Sequence, residues 1–320
     1  MFKIVCTDHN FEDMEFERQI IEQNGCSFEE HKCFDEDSLA EAVRDADAVM
    51  NQYGPVTAKA IQSMTRARGI ARYGIGVDTI DVEAATSAGI WVANVPDYCI
   101  DEVATHAAAL LLGIARKVPE GDRQIRSGIW DNNALRFIHP VTGKTLGFLG
   151  FGRIAQAVAE RIQGFNMNLI AYDPYVKEGD VAAQGVRLLT TIEELLAESD
   201  FVTIHMPLTD ETHHLISAER LKLMKPTAYI INTARGPIID TLALAEALRN
   251  GQLAGAALDT LEEEPIPSDH PLLELDNVIL TPHIAWYSER SRQEIRRRVA
   301  EEAIRMAKGE PPECPVNKIG

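Results

Sequence analysis

Residues 144–156 read KTLGFLGFGRIAQ, and no other stretch constrains the fold of the chain as much. An apolar run ends in Gly150-Phe-Gly152-Arg-Ile-Ala155, which fits G-x-G-x-x-G/A and opens an amphipathic stretch. Gly150 permits a tight turn, Gly152 lets a pyrophosphate approach the backbone, and Ala155 lets a helix pack closely on its strand. The helix start at Arg153 and Ile154 supplies amide donors and the positive end of a dipole. Asp173 ends the next apolar run, where a carboxylate accepts from the ribose hydroxyls of a dinucleotide. The same carboxylate repels a 2′-phosphate, and Pro174 and Tyr175 after it supply no arginine, so NAD is expected rather than NADP.

A fingerprint of this kind requires strand, turn and helix in that order. The rest of the chain agrees, alternating short apolar runs with amphipathic stretches in the manner of α/β folds. In the first part strands are expected over 3–6, 46–51, 69–72 and 91–94, with helices over 16–24 and 56–64. In the second part strands are expected over 145–149, 169–172, 201–204, 228–231, 255–258 and 278–280, with helices over 153–162, 191–197 and 240–249. Runs such as AYIIN and NVILT are apolar without alternation, as parallel strands covered on both faces require. Long helical patterns over 101–117 and 288–308 fall where domains join, and PPECPVNKIG after them is a return strand or tail. The expected division is 1–100 with 289–320, and 101–288.

Three segments fall at expected strand ends: NTARGPIID (232–240), ALDTLEEEP (257–265) and TPHIAWYS (281–288). Ligands of open α/β sheets bind beyond the carboxyl ends of strands, so Arg235, Glu264 and His283 are candidates for one site. Their chemistry is complementary. A guanidinium holds a carboxylate in a planar fork, a histidine exchanges a proton near neutrality, and a carboxylate beside it fixes its tautomer. Taken singly, each has a plainer reading as a surface arginine, a solvated acidic turn or a loop histidine. The ordered set, downstream of a dinucleotide fingerprint, favours oxidation of a 2-hydroxy acid.

These motifs, with RYGIGVDTID (72–81), NVP (94–96) and MPLTDETHHLI (206–216), resemble the D-isomer-specific 2-hydroxyacid dehydrogenase family over most of the chain. HHLI, the TARG form of the arginine motif and PHIAWYSE with Trp286 are similar to its carboxy-terminal binding protein branch. The resemblance implies a flavodoxin-like substrate domain made from both chain ends, with an inserted Rossmann NAD-binding domain built on a parallel sheet. It implies Arg235 for the substrate carboxylate and carbonyl, Glu264 as partner of the histidine, and His283 as acid and base. Backbone amides near Ile75 and Gly76, together with Arg72, are assigned to the substrate, and Trp286 to the wall of its pocket. Val103 is assigned to the nicotinamide and Asp259 to its carboxamide. Pro207, Thr212, Thr233 and Ala234 are assigned to the NAD cleft. A homodimer through the NAD-binding domains is expected, with the segment 125–130 at the interface. Trp130 is then an interface anchor or, alternatively, a core residue.

Composition limits the partners. The formal charge of −18 repels nucleic-acid phosphates and anionic lipid, so neither nucleic acid nor membrane is an expected partner. Any anion site has to be built locally from arginines or amides. Five cysteines, at 6, 26, 33, 99 and 314, form no CxxC pair, which argues against a zinc site or disulfide framework and fits a reducing cytoplasm. No metal is expected. The N-terminus reads as a first strand rather than a signal peptide. No regulatory extension of the sort some phosphoglycerate dehydrogenases carry is expected after Gly320. Two other readings stay open. One is D-3-phosphoglycerate dehydrogenase, for which Arg72 and Arg136 are candidate phosphate cations. The other is an NAD-sensing corepressor-like scaffold, for which an intact Arg–Glu–His set has no chemical use.

Overall fold

Apolar runs without alternation become parallel strands in both halves of the chain. The computed structural model describes residues 1–182 and 184–319, and the side chains of all of these except Asp180 and Ala182. The chain folds into two compact units: unit 1 is Met1–Tyr98 with Ser288–Gly320, and unit 2 is Cys99–Tyr287.

Unit 1 holds β1 (Phe2–Cys6), β2 (Cys26–Glu30), β3 (Ala48–Asn51), β4 (Gly69–Arg72) and β5 (Trp91–Ala93). All pair in parallel in the order β2-β1-β3-β4-β5, which is the flavodoxin-like order. The core of one face is aliphatic, with Val5, Val49, Ile70 and Val92 fully buried. The helix Glu289–Ala307 covers part of this sheet, and Ser288 caps it with a reciprocal box to Ser291. Its Arg296 forms a buried pair with Glu17 of the helix Glu15–Gln23, Nε to Oε1 at 2.8 Å. The C-terminal segment returns to the sheet as one antiparallel bridge, Ala93 to Pro315, with Val316 N donating to Val92 O at 2.8 Å.

Unit 2 holds β6 (Thr145–Leu149), β7 (Asn168–Tyr172), β8 (Val186–Leu188), β9 (Phe201–Ile204), β10 (Tyr229–Asn232), β11 (Gly255–Leu258) and β12 (Val278–Leu280). The parallel order β12-β11-β10-β9-β6-β7-β8 is the doubly wound Rossmann order with one strand added at the β12 edge. The chain reverses its winding between β6 and β9, which opens a crevice at their carboxyl ends. Gly150, just past β6, sits there at φ +83°, and a Cβ on it would lie 2.8 Å from the His205 carbonyl oxygen past β9. Helices Ile100–Ala115 and Arg153–Ile162 pack on one face around Phe148 and Phe151.

Every strand expected from sequence is present, with ends shifted by up to two residues. β2 and β8 were not expected. Both are edge strands, and their burial patterns (buried at two of five and one of three positions) lack a continuous apolar run. Among the described residues no helix is long and apolar enough to cross a membrane.

Candidate active site

In unit 2 the sequence brings Glu264 and His283 together. His283 Nδ1 lies 2.7 Å from Glu264 Oε2, and Glu264 Oε1 accepts from Leu261 N at 2.9 Å. Burial alone would raise the Glu264 carboxyl. The hydrogen bond and charge of His283, the Leu261 amide and the charge of Arg235 outweigh it and hold the carboxyl below its usual range. An ionised carboxylate only accepts, so Nδ1 carries the proton and Nε2 is the ring nitrogen left for a ligand. His283 itself takes a left-handed backbone, φ 53°, which the surrounding bonds impose.

Those bonds come largely from Asp259, at the end of β11. Its main-chain oxygen accepts from His283 N at 2.9 Å. Its carboxylate is fully buried and accepts from Thr281 Oγ1 at 2.5 Å, Ile284 N at 3.0 Å and Ala285 N at 2.9 Å. His106 of the helix Ile100–Ala115 lies beside it, Nε2 3.5 Å from Oδ1. The family resemblance assigns Asp259 to the nicotinamide carboxamide. In the structure its carboxylate also holds the loop that carries His283.

Arg235 leaves the end of β10 in an extended conformation. Asn232 staples this turn, donating to the Arg235 carbonyl at 2.8 Å and accepting from Ala234 N at 2.9 Å. One guanidinium nitrogen donates to the Ala234 carbonyl at 2.9 Å. A Cβ on Gly236 would lie 1.8 Å from the Leu261 carbonyl carbon, so the arginine and glutamate loops touch backbone to backbone. Sequence reasoning passed over Asn232, although it stands inside NTARG at a strand end. It also passed over Glu262, His214 and Thr241, which form a second bonded group on the same loops.

The glycine turn fits a dinucleotide. A Cβ built on Gly152 meets nothing, leaving open space where a pyrophosphate approaches. Among the described residues no side chain caps the helix that starts at Arg153, so its first amides face that space without a side-chain acceptor. Asp173 is fixed beside the turn, accepting from Phe151 N at 2.8 Å and from Tyr175 N at 2.9 Å. Thr233 Oγ1, past β10, is buried without a partner. Ile154 is half-buried against the core and Val103 is buried in its helix. Thr212 bonds within its own turn, Oγ1 donating to the Pro207 carbonyl at 2.7 Å.

The remaining expected residues are placed as follows. Trp286 is half-buried in unit 2 and meets Tyr287 edge to face at 5.6 Å. Arg72 is buried in unit 1 at the end of β4, its side chain lying over Gly74. The following loop, with Ile75 and Gly76, is held by Asn94 Nδ2 donating to Ile75 O at 2.5 Å and by Val95 N donating to Gly74 O at 3.1 Å.

Residues 108–285 match the family described as D-isomer specific 2-hydroxyacid dehydrogenase, NAD binding domain. The chain belongs to the D-isomer specific 2-hydroxyacid dehydrogenase family. It is 43 % identical to a glyoxylate reductase of Korarchaeum cryptofilum over 88 % of this chain and 85 % of that one. It is 42 % identical to a D-3-phosphoglycerate dehydrogenase of Methanocaldococcus jannaschii over 99 % of this chain and 60 % of that one. A solved D-lactate dehydrogenase from Aquifex aeolicus, complexed with NAD and lactic acid, superposes with a TM-score of 0.87 at 30 % identity, covering 96 % of each chain. The chain is thus an NAD-dependent oxidoreductase of 2-hydroxy acids.

Proposed function

We propose that the chain reduces a small 2-oxo acid of the glyoxylate class to its 2-hydroxy acid, with Arg235, Glu264 and His283 as the catalytic set. The observation that carries this reading is the His283–Glu264 bond of 2.7 Å beside the Arg235 loop. The glyoxylate reductase name of a relative 43 % identical over 88 % of the chain supports the substrate class.

In the proposed scheme Arg235 binds the substrate carboxylate and polarises the carbonyl oxygen. His283 Nε2 delivers a proton to that oxygen as it becomes a hydroxyl. Glu264 stabilises the imidazolium that exists before the transfer and keeps the ring oriented after it. In the oxidative direction His283 takes the hydroxyl proton. The Gly150–Gly152 turn, Arg153, Ile154, Asp173, Pro207, Thr212, Thr233 and Ala234 would hold the cofactor, with Val103 at its nicotinamide; as NADH it would supply the hydride to C2, and as NAD it would accept that hydride in the oxidative direction. Asp259 anchors residues 281–285 and is assigned to the nicotinamide carboxamide. In unit 1, Arg72 and the amides of Ile75 and Gly76 serve the substrate anion. Trp286 limits substrate size.

A screen of NADH oxidation over glyoxylate, pyruvate, phenylpyruvate and 3-phosphohydroxypyruvate tests the substrate class. Glyoxylate is expected to lead. A preference for the phosphorylated acid would favour phosphoglycerate dehydrogenase, the reading supported by the relative matched over 99 % of this chain. A preference for phenylpyruvate would favour the carboxy-terminal binding protein branch, whose resemblance rests on HHLI, TARG and Trp286. Near-full turnover by His283→Ala would refute the catalytic assignment.

The reading includes a homodimer through unit 2. Ile125, Ile129, Trp130 and Phe137 are exposed on one segment there, Trp130 at 90 %. That exposure removes the core role for Trp130 and leaves an apolar surface suited to a second copy.

A further inference from the structure

We propose that Glu262 is a positioning residue, which through His214 and Thr241 holds the loop on which Glu264 meets His283. The proposal rests on the catalytic reading given above and adds a residue to it.

Glu264 sits on an irregular segment. From Thr260 to His270 the chain forms neither helix nor strand, and both Glu264 and His283 have side chains about one-third exposed, 36 % and 30 %. A loop of this kind does not hold a catalytic carboxylate to the required fraction of an ångström without outside bracing. The internal bond from Leu261 N fixes Glu264 only relative to its own turn.

Glu262 supplies bonds to outside segments. Its Oε2 accepts from Thr241 N at 2.8 Å and also from the Thr241 hydroxyl. Thr241 is the first residue of the helix Thr241–Arg249, where an amide has no acceptor within the helix. The cap Asp240 is used for Ala243 N, at 2.9 Å. Glu262 Oε1 meets His214 Nε2 at 2.5 Å. His214 is in turn tied to the arginine loop, its amide donating to the Pro237 carbonyl at 2.8 Å. It holds a left-handed backbone, φ 48°, and its ring stacks on His213 at 4.2 Å. His270 Nε2 closes the group, 3.4 Å from Thr241 Oγ1.

One carboxylate thus joins three segments: the turn ending at His214, the Arg235 loop running into its helix, and the glutamate loop. Two of the three carry catalytic residues. The Gly236 contact shows how close the last two lie, since any added atom there would overlap Leu261 and Glu262 backbone. The hydrogen bonds set the lateral register of loops that the glycine lets touch. Of the three glutamates in LEEEP, Glu262 fixes the loop and Glu264 orients the histidine.

The test is a double-mutant cycle of Glu262→Ala and Glu264→Ala, assayed by NADH oxidation at saturating 2-oxo acid. Residues acting in one chain of contacts are non-additive. Glu262→Ala is expected to lower kcat about tenfold, below the ~10²-fold of a full 1 Å misplacement, with the KM for NADH unchanged. In the Glu264→Ala background the same substitution is expected to change kcat less than about twofold. Glu262→Gln is expected to restore most of the rate, because the amide oxygen still accepts from Thr241 and the amide nitrogen donates to neutral His214. If Glu262→Ala does not fold, His214→Asn replaces it, asparagine being tolerant of the left-handed backbone, and the same non-additivity is expected. Equal losses in both backgrounds, or no loss in either, overturn the positioning role while leaving the catalytic set intact. A Glu264→Ala enzyme with wild-type kcat overturns the catalytic reading, and this proposal with it.

Discussion

Replacing Gly236 by alanine introduces a single methyl group between the two loops that carry Arg235 and Glu264. The added carbon would lie 1.8 Å from the Leu261 carbonyl carbon, 1.9 Å from its oxygen and 2.5 Å from Glu262 N. All three are backbone atoms, so no side-chain rotation relieves the overlap. Carbon atoms settle at about 3.5–4 Å, so the loops must part by roughly 2 Å. Gly236 directly follows Arg235, and Leu261 stands three residues before Glu264, so the separation passes into the catalytic geometry. A misplacement on the order of 1 Å costs about 10²-fold in rate. Gly236→Ala is therefore expected to lower kcat by about two orders of magnitude. The glycine turn at Gly150–Gly152 and Asp173 is untouched, so NADH binding, read by quenching of tryptophan fluorescence, should stay near wild type. Steady-state NADH oxidation supplies kcat. A wild-type kcat in Gly236→Ala would refute the claim that contact between these backbones sets the catalytic geometry. A loss confined to NADH affinity would refute it as well.

Asp173→Ala should narrow the preference for NAD over NADP, measured as a ratio of kcat/KM, because the carboxylate fixed by Phe151 N and Tyr175 N no longer repels a 2′-phosphate. His205 should make stability depend on pH. Burial lowers its pKa to about 3, with Nε2 bonded to Thr203 Oγ1 at 2.9 Å and the ring against Phe148. The unfolded histidine binds a proton near pH 6.5, so this contribution is complete above that pH and is lost as pH falls, by up to about 1.4 kcal/mol per pH unit. Urea unfolding from pH 7 to pH 5 should show that slope, and His205→Gln should reduce it. Trp130→Glu should convert a dimer to monomer in light scattering while leaving the far-UV spectrum unchanged, since the side chain is 90 % exposed within its own chain.

The glycine fingerprint was legible because its chemistry is local. Strand, turn and helix start within 13 residues fit the demands of a dinucleotide, whatever the rest of the chain does. The strands in the middle of both sheets were legible because burial on both faces requires unbroken apolar runs. β2 and β8 were not, since CSFEE and VRL interrupt their apolar residues with polar ones and read as ordinary surface. Trp130 shows the same limit on single residues, as its type fits a core as well as an exposed interface. The residues Arg235, Glu264 and His283 were named from order and chemistry. Sequence assigned Glu264 to the histidine but gave no task to Glu262, the same residue type two places away in one acidic turn. Their tasks diverge because β10 and β11 lie side by side, bringing Thr241 and His214 to one glutamate and His283 to the other. The bracing task of Asp259 likewise emerges only where the fold closes residues 281–285 over its carboxylate. Local stereochemistry thus determined the fold class and the dinucleotide turn. Contacts between residues tens of positions apart decided which acid faces the histidine and which holds the loop, because hydrogen bonding depends on distances that only the packed strands define.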